Sequence, residues 1–536
     1  MTAAVQAPSS TWAPLRRQAF RALWIAQLGS NIGSWMQSVG AQWTVVHQPE
    51  AATLTSIVQA ASLIPVLFVS LPAGVLADVL DRRRLIGVLT AVMVVITAIL
   101  AVLSARQLVP PATLITITLL LGACQALMSP AWQAIQPELV PRAELPSAAA
   151  LGSLNVNIAR AIGPALAGFV LALTGPAVVF GVNAVSDVLI LVAVLRWRRK
   201  PAESAGPGEP LLPALRAGIR YVRYAPGVRR ILLRALVFVL PASALWGLLP
   251  VVAAAQLGLG SGGYGVLLGA LGLGAVGGAV VMRPLRARLG RNTMLAAATL
   301  AYAVGVFAAA LLPNAVAVAL LLVLGGTGWL IGLSTLNTTL QLALPGWVRA
   351  RALAVYLMIF LGGQGVGALI WGLVAAGLGA AATLTISAVL LVLGAVSLVV
   401  LPIHPRTGEL DRTVVMPWPE PEIGILADGE AQLDPAAGPV LVEVSYHVPP
   451  ENAAEFLKVL ARVGVSRQRT GARRWSAYRD LAAPDRYCEV FEVGTWAEHL
   501  RQHHERITGV DAGLYRKAAG FALEPPENRH LLATGR

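Results

Sequence analysis

The feature that most constrains this chain is serial. Apolar runs long enough to cross a lipid bilayer, about 20 residues each, follow one another from Arg21 to Leu401 with short interruptions. Twelve are read, near Arg21–Val46, Leu54–Val79, Leu85–Ser104, Ala112–Ile135, Ala148–Leu173, Ala177–Leu195, Ile231–Ala255, Gly263–Met282, Thr293–Leu312, Ala315–Leu340, Ala352–Ala376 and Ala381–Leu401. Of the 536 residues, 56% are hydrophobic and 13% charged, against about 25% charged in soluble domains. A soluble chain of this length divides into domains with polar surfaces. Lipid is therefore the expected solvent for most of the polypeptide, and Gly and Pro inside the runs are tolerated because neighbouring helices satisfy freed backbone groups.

The net charge of +14 would suggest nucleic acid in a soluble protein. Here the basic residues sit between apolar runs, so contact with anionic lipid headgroups is expected and no nucleic-acid partner. One set of loops carries Arg16 and Arg17; Arg82, Arg83 and Arg84; Arg142; Arg196, Arg198, Arg199 and Lys200; Arg283, Arg286, Arg288 and Arg291; Arg349 and Arg351. The alternate loops are nearly bare. Positive-inside bias places the first set and both termini in the cytoplasm of a multi-pass plasma (cell inner) membrane protein, which requires an even number of spans. Cys124 and Cys488 stand far apart, with no disulfide framework or metal-ligand spacing, and no cofactor is expected. No removable signal peptide is read at the N-terminus.

Six runs precede and six follow a central interruption. Pro201–Gly208 reads as a flexible linker, and the Arg-rich apolar stretch Leu211–Tyr224 as a helix lying on the inner membrane surface. The inner loops of the two halves match weakly: Arg82-Arg83-Arg84 with Arg283 to Arg288, and Pro141-Arg142 with Pro345 and Arg349. After the last span the composition turns polar. Val440–Val448 alternates as a strand, Pro449–Asn452 opens an amphipathic helix, Ala472–Asp480 and Tyr487–Val493 read as strands, and Trp496–Ile507 as a second helix. The expected organisation is a cytoplasmic N-terminus (1–20), a six-helix bundle (21–195), a linker (196–230), a second bundle (231–402), a tether (403–438) and a soluble α+β ferredoxin-like domain (439–536).

The stretch Gly74-Val75-Leu76-Ala77-Asp78-Val79-Leu80-Asp81-Arg82-Arg83-Arg84 resembles the major facilitator signature, with Val79 and Asp81 departing from its usual basic residue and Gly. The resemblance implies a conformational latch of Gly74, Asp78, Arg82, Arg83 and Arg84; setting topology is the alternative role for the arginines. Ser129–Arg142, running into Asn155, Asn157, Arg160, Gly163-Pro164 and Gly168, is similar to the enterobactin-exporter branch of that superfamily, the transmembrane secretion effectors. It implies the 12-helix major facilitator fold, an all-α membrane protein of two six-helix bundles. It also implies proton-coupled efflux of siderophore- or drug-like molecules and a tail like antibiotic-biosynthesis monooxygenases. Arg160, Gly163, Pro164 and Gly168 further resemble the antiporter motif of the fifth helix, where small residues let backbones approach.

Polar groups at membrane depth are default functional candidates. Arg160 and Asp187 fall mid-span in adjacent runs, and a structural ion pair is favoured over a proton relay. Gln27 and Asn31, with Ser34, share a helical face. With Asn155, Asn337, Gln341 and Gln364 they are candidates to line a cavity, interhelical hydrogen bonding being the alternative. Trp246 and Trp371 are candidates to stack on a planar ligand or to anchor and pack. His499, His503 and His504 read as a solvated helix face. No phosphate-binding loop is present, and Gly269–Gly278 lies inside a span, so an ion gradient is the expected energy source. The expected function is alternating-access export of a small-molecule cargo against protons, not an enzyme, with the tail a surface for self-association. The alternative is a membrane-tethered enzyme or sensor built on the tail.

Overall fold

The computed structural model describes residues 10–198, 211–403, 411–416 and 434–534. The linker Pro201–Gly208 and most of the expected tether lie outside the described residues. The helices run α1 (Gln18–Val45), α2 (Ala51–Leu63), α3 (Pro65–Val79), α4 (Arg82–Ala105), α5 (Pro111–Leu139), α6 (Leu145–Thr174), α7 (Pro176–Arg196), α8 (Leu211–Tyr224), α9 (Pro226–Val251), α10 (Ser261–Arg288), α11 (Arg291–Leu311), α12 (Ala315–Ala343), α13 (Gly346–Leu378) and α14 (Ala380–Val400). They fall into two compact units with the tail: one holds residues up to Gly206, Arg234–Leu336 and Leu357–Pro402, the other Pro207–Leu233, Asn337–Tyr356 and Ile403–Arg536.

Local chemistry sets the boundaries. Proline opens α3, α5 and α7, where its missing N–H costs nothing and its φ is already helical. Pro65 also splits the expected Leu54–Val79 span in two at Ile64. Asp81 caps α4 by accepting from the Arg84 amide at 2.8 Å. Gly175 (φ 83°) separates α6 from α7, and Gly379 (φ 80°) separates α13 from α14. Only Gly takes this region freely, and the two turns occupy equivalent places in the two halves.

In the first unit, α1 packs along both α6 and α7, α4 against α5 and α7, α3 against α5, α10 against α6, and α11 against α14. Eleven helices among the described residues are long and apolar enough to cross a membrane, with α2–α3 counting once over Ala51–Ser70. The expected twelfth, α1, does not reach that apolarity, because Gln27, Asn31, Gln37 and Gln42 dilute it. Large apolar side chains stand outward on these helices: Phe68 is 73% exposed and Val399 83%. A lipid environment removes the cost such a surface would carry in water.

The second unit is built on a sheet. β1 (Val440–His447), α15 (Ala453–Thr470), β2 (Arg474–Arg479), β3 (Arg486–Val493), α16 (Trp496–Arg501), α17 (Gly509–Ala519) and β4 (Glu527–Leu532) follow in order. The strands are antiparallel in the order β2-β3-β1-β4, the ferredoxin-like arrangement. Alternation sends Val440, Val442, Val444 and Tyr446 of β1, with Tyr487, Phe491 and Val493 of β3, into a core with Phe456, Val459, Leu460 and Val463 of α15. α17 and β4 extend the expected βαββα order. The expected membrane-surface helix forms as α8, but its buried Ala217, Gly218 and Tyr221 face protein. α15 packs on it, and a Cβ on Gly218 would stand 2.8 Å from Arg351 Cβ.

Candidate functional site

Residues at the Arg82 end of the bundle form a clamp. Arg82 donates from Nη1 to Glu138 Oε1 of α5 at 3.0 Å and to the Ala134 carbonyl at 3.3 Å, and from Nε to the Ala77 carbonyl at 3.2 Å. Glu138 is nearly buried. Arg83 donates to the carbonyls of Val194 (3.0 Å) and Leu195 at the end of α7. There it satisfies carbonyls that no helical N–H reaches and meets the negative end of the helix dipole. Arg234 likewise binds the end of α14, donating to Ser397 Oγ at 2.6 Å, the Ser397 carbonyl at 2.7 Å and the Leu401 carbonyl. Of the sequence candidates, Arg84 contributes its backbone amide to the Asp81 cap, Gly74 lies within α3, and the Asp78 side chain lies outside the described residues. Glu138 went unread as the partner of Arg82. An acid in the last turn of an otherwise apolar helix was the signal that could have found it.

Along α1 the polar side chains are met one by one. Ser30 Oγ donates to Asp187 Oδ1 at 2.8 Å, and Asn31 Nδ2 to Asn155 Oδ1 at 2.8 Å. Asn183 bonds Gln37. Gln42 Nε2 donates to Gln59 Oε1 at 2.8 Å and to the Trp246 carbonyl at 3.2 Å, and its Oε1 accepts from the Tyr264 hydroxyl. The expected Arg160–Asp187 pair does not form. The reason is packing: α1 lies against both α6 and α7. Asp187 therefore meets Ser30, while the Arg160 guanidinium lies 5.9 Å from the Trp35 ring. Asp187 Oδ2 and Arg160 Nε have no hydrogen-bond partner among the described residues. Asn155 donates to the Trp24 carbonyl at 2.8 Å and is fully buried, so it joins helices. Gln27 is half-buried on α1.

The small-residue motif of α6 serves two neighbours. A Cβ on Gly163 would strike Trp35 of α1, whereas one on Gly168 would stand 2.7 Å from Gly265 Cα of α10. Pro164 sits between them without ending the helix. Further close approaches join the first half to the second: Gly247 and Gly372 against Ser56, Gly362 against Leu67, Gly365 against Ile64, and Gly272 against Ala161. These contacts lie in the middle of the bundle and in its half remote from the Arg82 loop.

Trp246 joins an aromatic cluster. Its ring is 6.0 Å from Trp35 and 5.5 Å from Trp329, and Trp329 lies within 5.6 Å of Phe238, Tyr302 and Phe360. Trp371 is anchored by its Nε1 on the Leu240 carbonyl at 2.7 Å. Gln364 is buried. Asn337 and Gln341, one turn apart on α12, bond each other at 3.0 Å. Arg160, Trp35 and Trp246 thus set a cation beside aromatic faces, an arrangement able to hold an amphipathic molecule carrying negative charge.

In the tail, His499 and His503 are buried, not solvated. His499 stacks 5.3 Å from Trp496 and 4.9 Å from His530. Burial, then the neighbouring His530 and Arg467, pushes His499 down to about 3.

The family described as transmembrane secretion effector matches residues 9–536. Among curated relatives, the Staphyloferrin A transporter of Staphylococcus aureus is 29% identical over 41% of this chain and 56% of its own length. The Multidrug efflux pump Tap of Mycobacterium tuberculosis is 27% identical over 37% and 49%. The chain thus spans about half the length of these relatives. The Enterobactin exporter EntS of Salmonella paratyphi A is 32% identical over 63% and 80%. Among solved structures, the D-xylose-proton symporter aligns with a TM-score of 0.57 at 14% identity, over 73% of this chain and 98% of its own. A bacterial homolog of the lysosomal transporter Spinster, inward-facing and occupied, aligns at 0.57 and 15% identity over 74% and 97%. These likenesses establish the fold.

Proposed function

We propose, from the premise that this chain belongs to the transmembrane secretion effector family, that it exports small siderophore- or drug-like molecules across the cell inner membrane by alternating access, in exchange for protons. The observation that carries this reading is the glycine-lined seam between the two halves. The halves meet through Gly168–Gly265, Ser56–Gly247 and Ser56–Gly372 in the half remote from Arg82. Backbones touching at glycines part and rejoin without side chains to repack. Such a seam suits two rigid bundles that rock between discrete states.

Both termini are assigned to the cytoplasm, because the arginine-bearing loops share one side of the bundle. The seam is then assigned to the outer gate. Arg160 beside Trp35 and Trp246 selects an amphipathic cargo with an anionic group. The relatives named as Staphyloferrin A transporter, multidrug efflux pump and enterobactin exporter support the cargo class. Asp187, a fully buried carboxyl that accepts from the Ser30 hydroxyl, is the group assigned to the proton. The test is transport into inverted membrane vesicles with a panel of siderophores and dyes, with and without an imposed proton gradient. Gradient-dependent accumulation of at least one panel member is expected. Accumulation of none, in vesicles holding correctly inserted protein, overturns the reading.

A further inference from the structure

The side-chain amide of Gln42 on α1 is engaged in full by other helices. Its Nε2 donates to Gln59 Oε1 of α2 at 2.8 Å and to the Trp246 carbonyl of α9 at 3.2 Å, and its Oε1 accepts from the Tyr264 hydroxyl of α10. Gln42, Gln59 and Tyr264 are all buried. The sequence explains why the Trp246 carbonyl can take part. Inside a helix it would accept from the amide four residues on, and that residue is Pro250, which has no N–H. Tyr264 is held in place by its ring, which stacks on Trp43 of α1 at 5.7 Å. α1 and α2 belong to the first half and α9 and α10 to the second, so the bonds to Trp246 and Tyr264 both cross the seam.

We infer that Gln42 is a positioning residue that locks the outer gate, joining the halves through the Trp246 carbonyl and the Tyr264 hydroxyl. The inference rests on the alternating-access reading above, which assigns the seam to that gate. Glycine contacts such as Gly247 against Ser56 let the backbones meet, but they add no directional bond. The Gln42 amide supplies one to each of two helices. A buried polar group left without its partner costs more than a hydrogen bond ordinarily contributes. When the seam parts, the Trp246 carbonyl has no helical amide to return to, and the Tyr264 hydroxyl loses its acceptor. Water must reach both before the open state is relieved. The lock thus lowers the free energy of the closed seam and slows departure from it.

The test reads the seam without needing cargo. Ser56 is fully buried against Gly247 and Gly372. Ser56→Cys is placed in the full-length chain with Cys124→Ala and Cys488→Ser, and its alkylation by N-ethylmaleimide is timed in proteoliposomes. Gln42→Leu is expected to speed labelling severalfold. Tyr264→Phe keeps the ring on Trp43 and removes only the hydroxyl; it is expected to give a smaller acceleration, and the double variant to match Gln42→Leu alone. Gln59→Leu removes a bond inside the first half and leaves both cross-seam bonds, so it is expected to label at close to the wild-type rate. Pro250→Ala returns a helical donor to the Trp246 carbonyl, and in that background Gln42→Leu is expected to accelerate labelling less. Labelling that is unchanged or slower in both Gln42→Leu and Tyr264→Phe overturns the lock, and so does an acceleration by Gln59→Leu equal to that by Gln42→Leu. Absence of gradient-driven transport of every panel molecule by the wild-type chain, with labelling responding as expected, would instead strike the export reading and leave the lock standing.

Discussion

We propose that the Arg82 side chain acts as a conformational latch. It bonds a carboxylate and two carbonyls at once, and a hydrogen bond to a charged partner contributes about 1.5–3 kcal/mol. That is about a ten- to hundredfold change in a two-state population. Arg82→Ala and Glu138→Gln are therefore each expected to cut export about tenfold or more while leaving insertion intact, read as initial efflux rates normalised to membrane-inserted protein. Rates equal to wild type in both would remove the clamp. In the tail, His499 titrates at about 3 when folded, against about 6.5 in an unfolded chain. Between those values the unfolded state binds more protons. Stability is therefore intact above pH 6.5 and is lost as pH falls, by up to about 1.4 kcal/mol per pH unit from this one group. Calorimetry of the full-length protein should show the tail transition falling between pH 7 and 5, and His499→Leu should flatten that dependence. An equal drop in the variant would assign the acid sensitivity elsewhere.

Among the elements, α6 carries the sharpest expectation, since it faces α1 on one side and α10 on the other. A methyl on Gly168 would stand 2.7 Å from Gly265 Cα and 2.8 Å from the Ser261 carbonyl, so backbone must move and the seam opens. Overpacking of this kind costs about 1–3 kcal/mol, charged only to the state in which the seam is closed. Gly168→Ala should accordingly lower export severalfold and speed N-ethylmaleimide alkylation of a thiol introduced at the seam by Ser56→Cys in a chain carrying Cys124→Ala and Cys488→Ser. Gly277→Ala, with nothing within 4 Å, should leave both unchanged; equal behaviour of the two variants would sink the seam. The motif around Gly163 and Gly168 was legible because small residues at helical spacing announce close approach. Its two partners were not, because spacing within one helix says nothing about which helices come to it. The same limit misplaced Arg160 and Asp187, adjacent in span order but facing α1. Trp329, at the centre of the aromatic cluster, carried no signal: a tryptophan in an apolar helix reads alike at a core, an interface or a site. In the tail, β1, β3 and α15 were visible through strict alternation and amphipathic spacing. β4 was missed because its exposed, charge-bearing sequence lacks the buried alternation that marks a strand.

At the scale of the whole molecule α1 decides the topology, since an even span count places both ends of the chain on one side and an odd count separates them. By composition α1 falls short of the eleven helices that pass as spans. Yet it has 28 residues, about 42 Å at 1.5 Å per residue, more than a hydrocarbon core of about 30 Å. Its polarity is also spent inside the protein. Ser30 bonds Asp187, Asn31 bonds Asn155, Gln37 bonds Asn183, and Gln42 bonds Gln59 and Tyr264. Polar groups paired across helices cost far less in a bilayer than the same groups facing lipid, so a hydropathy sum overstates the penalty of burying this helix. α1 is therefore expected to cross, making twelve spans. Reporter fusions active only in the cytoplasm should then succeed at both the N-terminus and the C-terminus. Gln42→Leu should keep that topology while loosening the outer gate, because Tyr264 and the Trp246 carbonyl lose their partner. If the N-terminal fusion is inactive while the C-terminal one is active, α1 does not span, and the twelve-span topology falls.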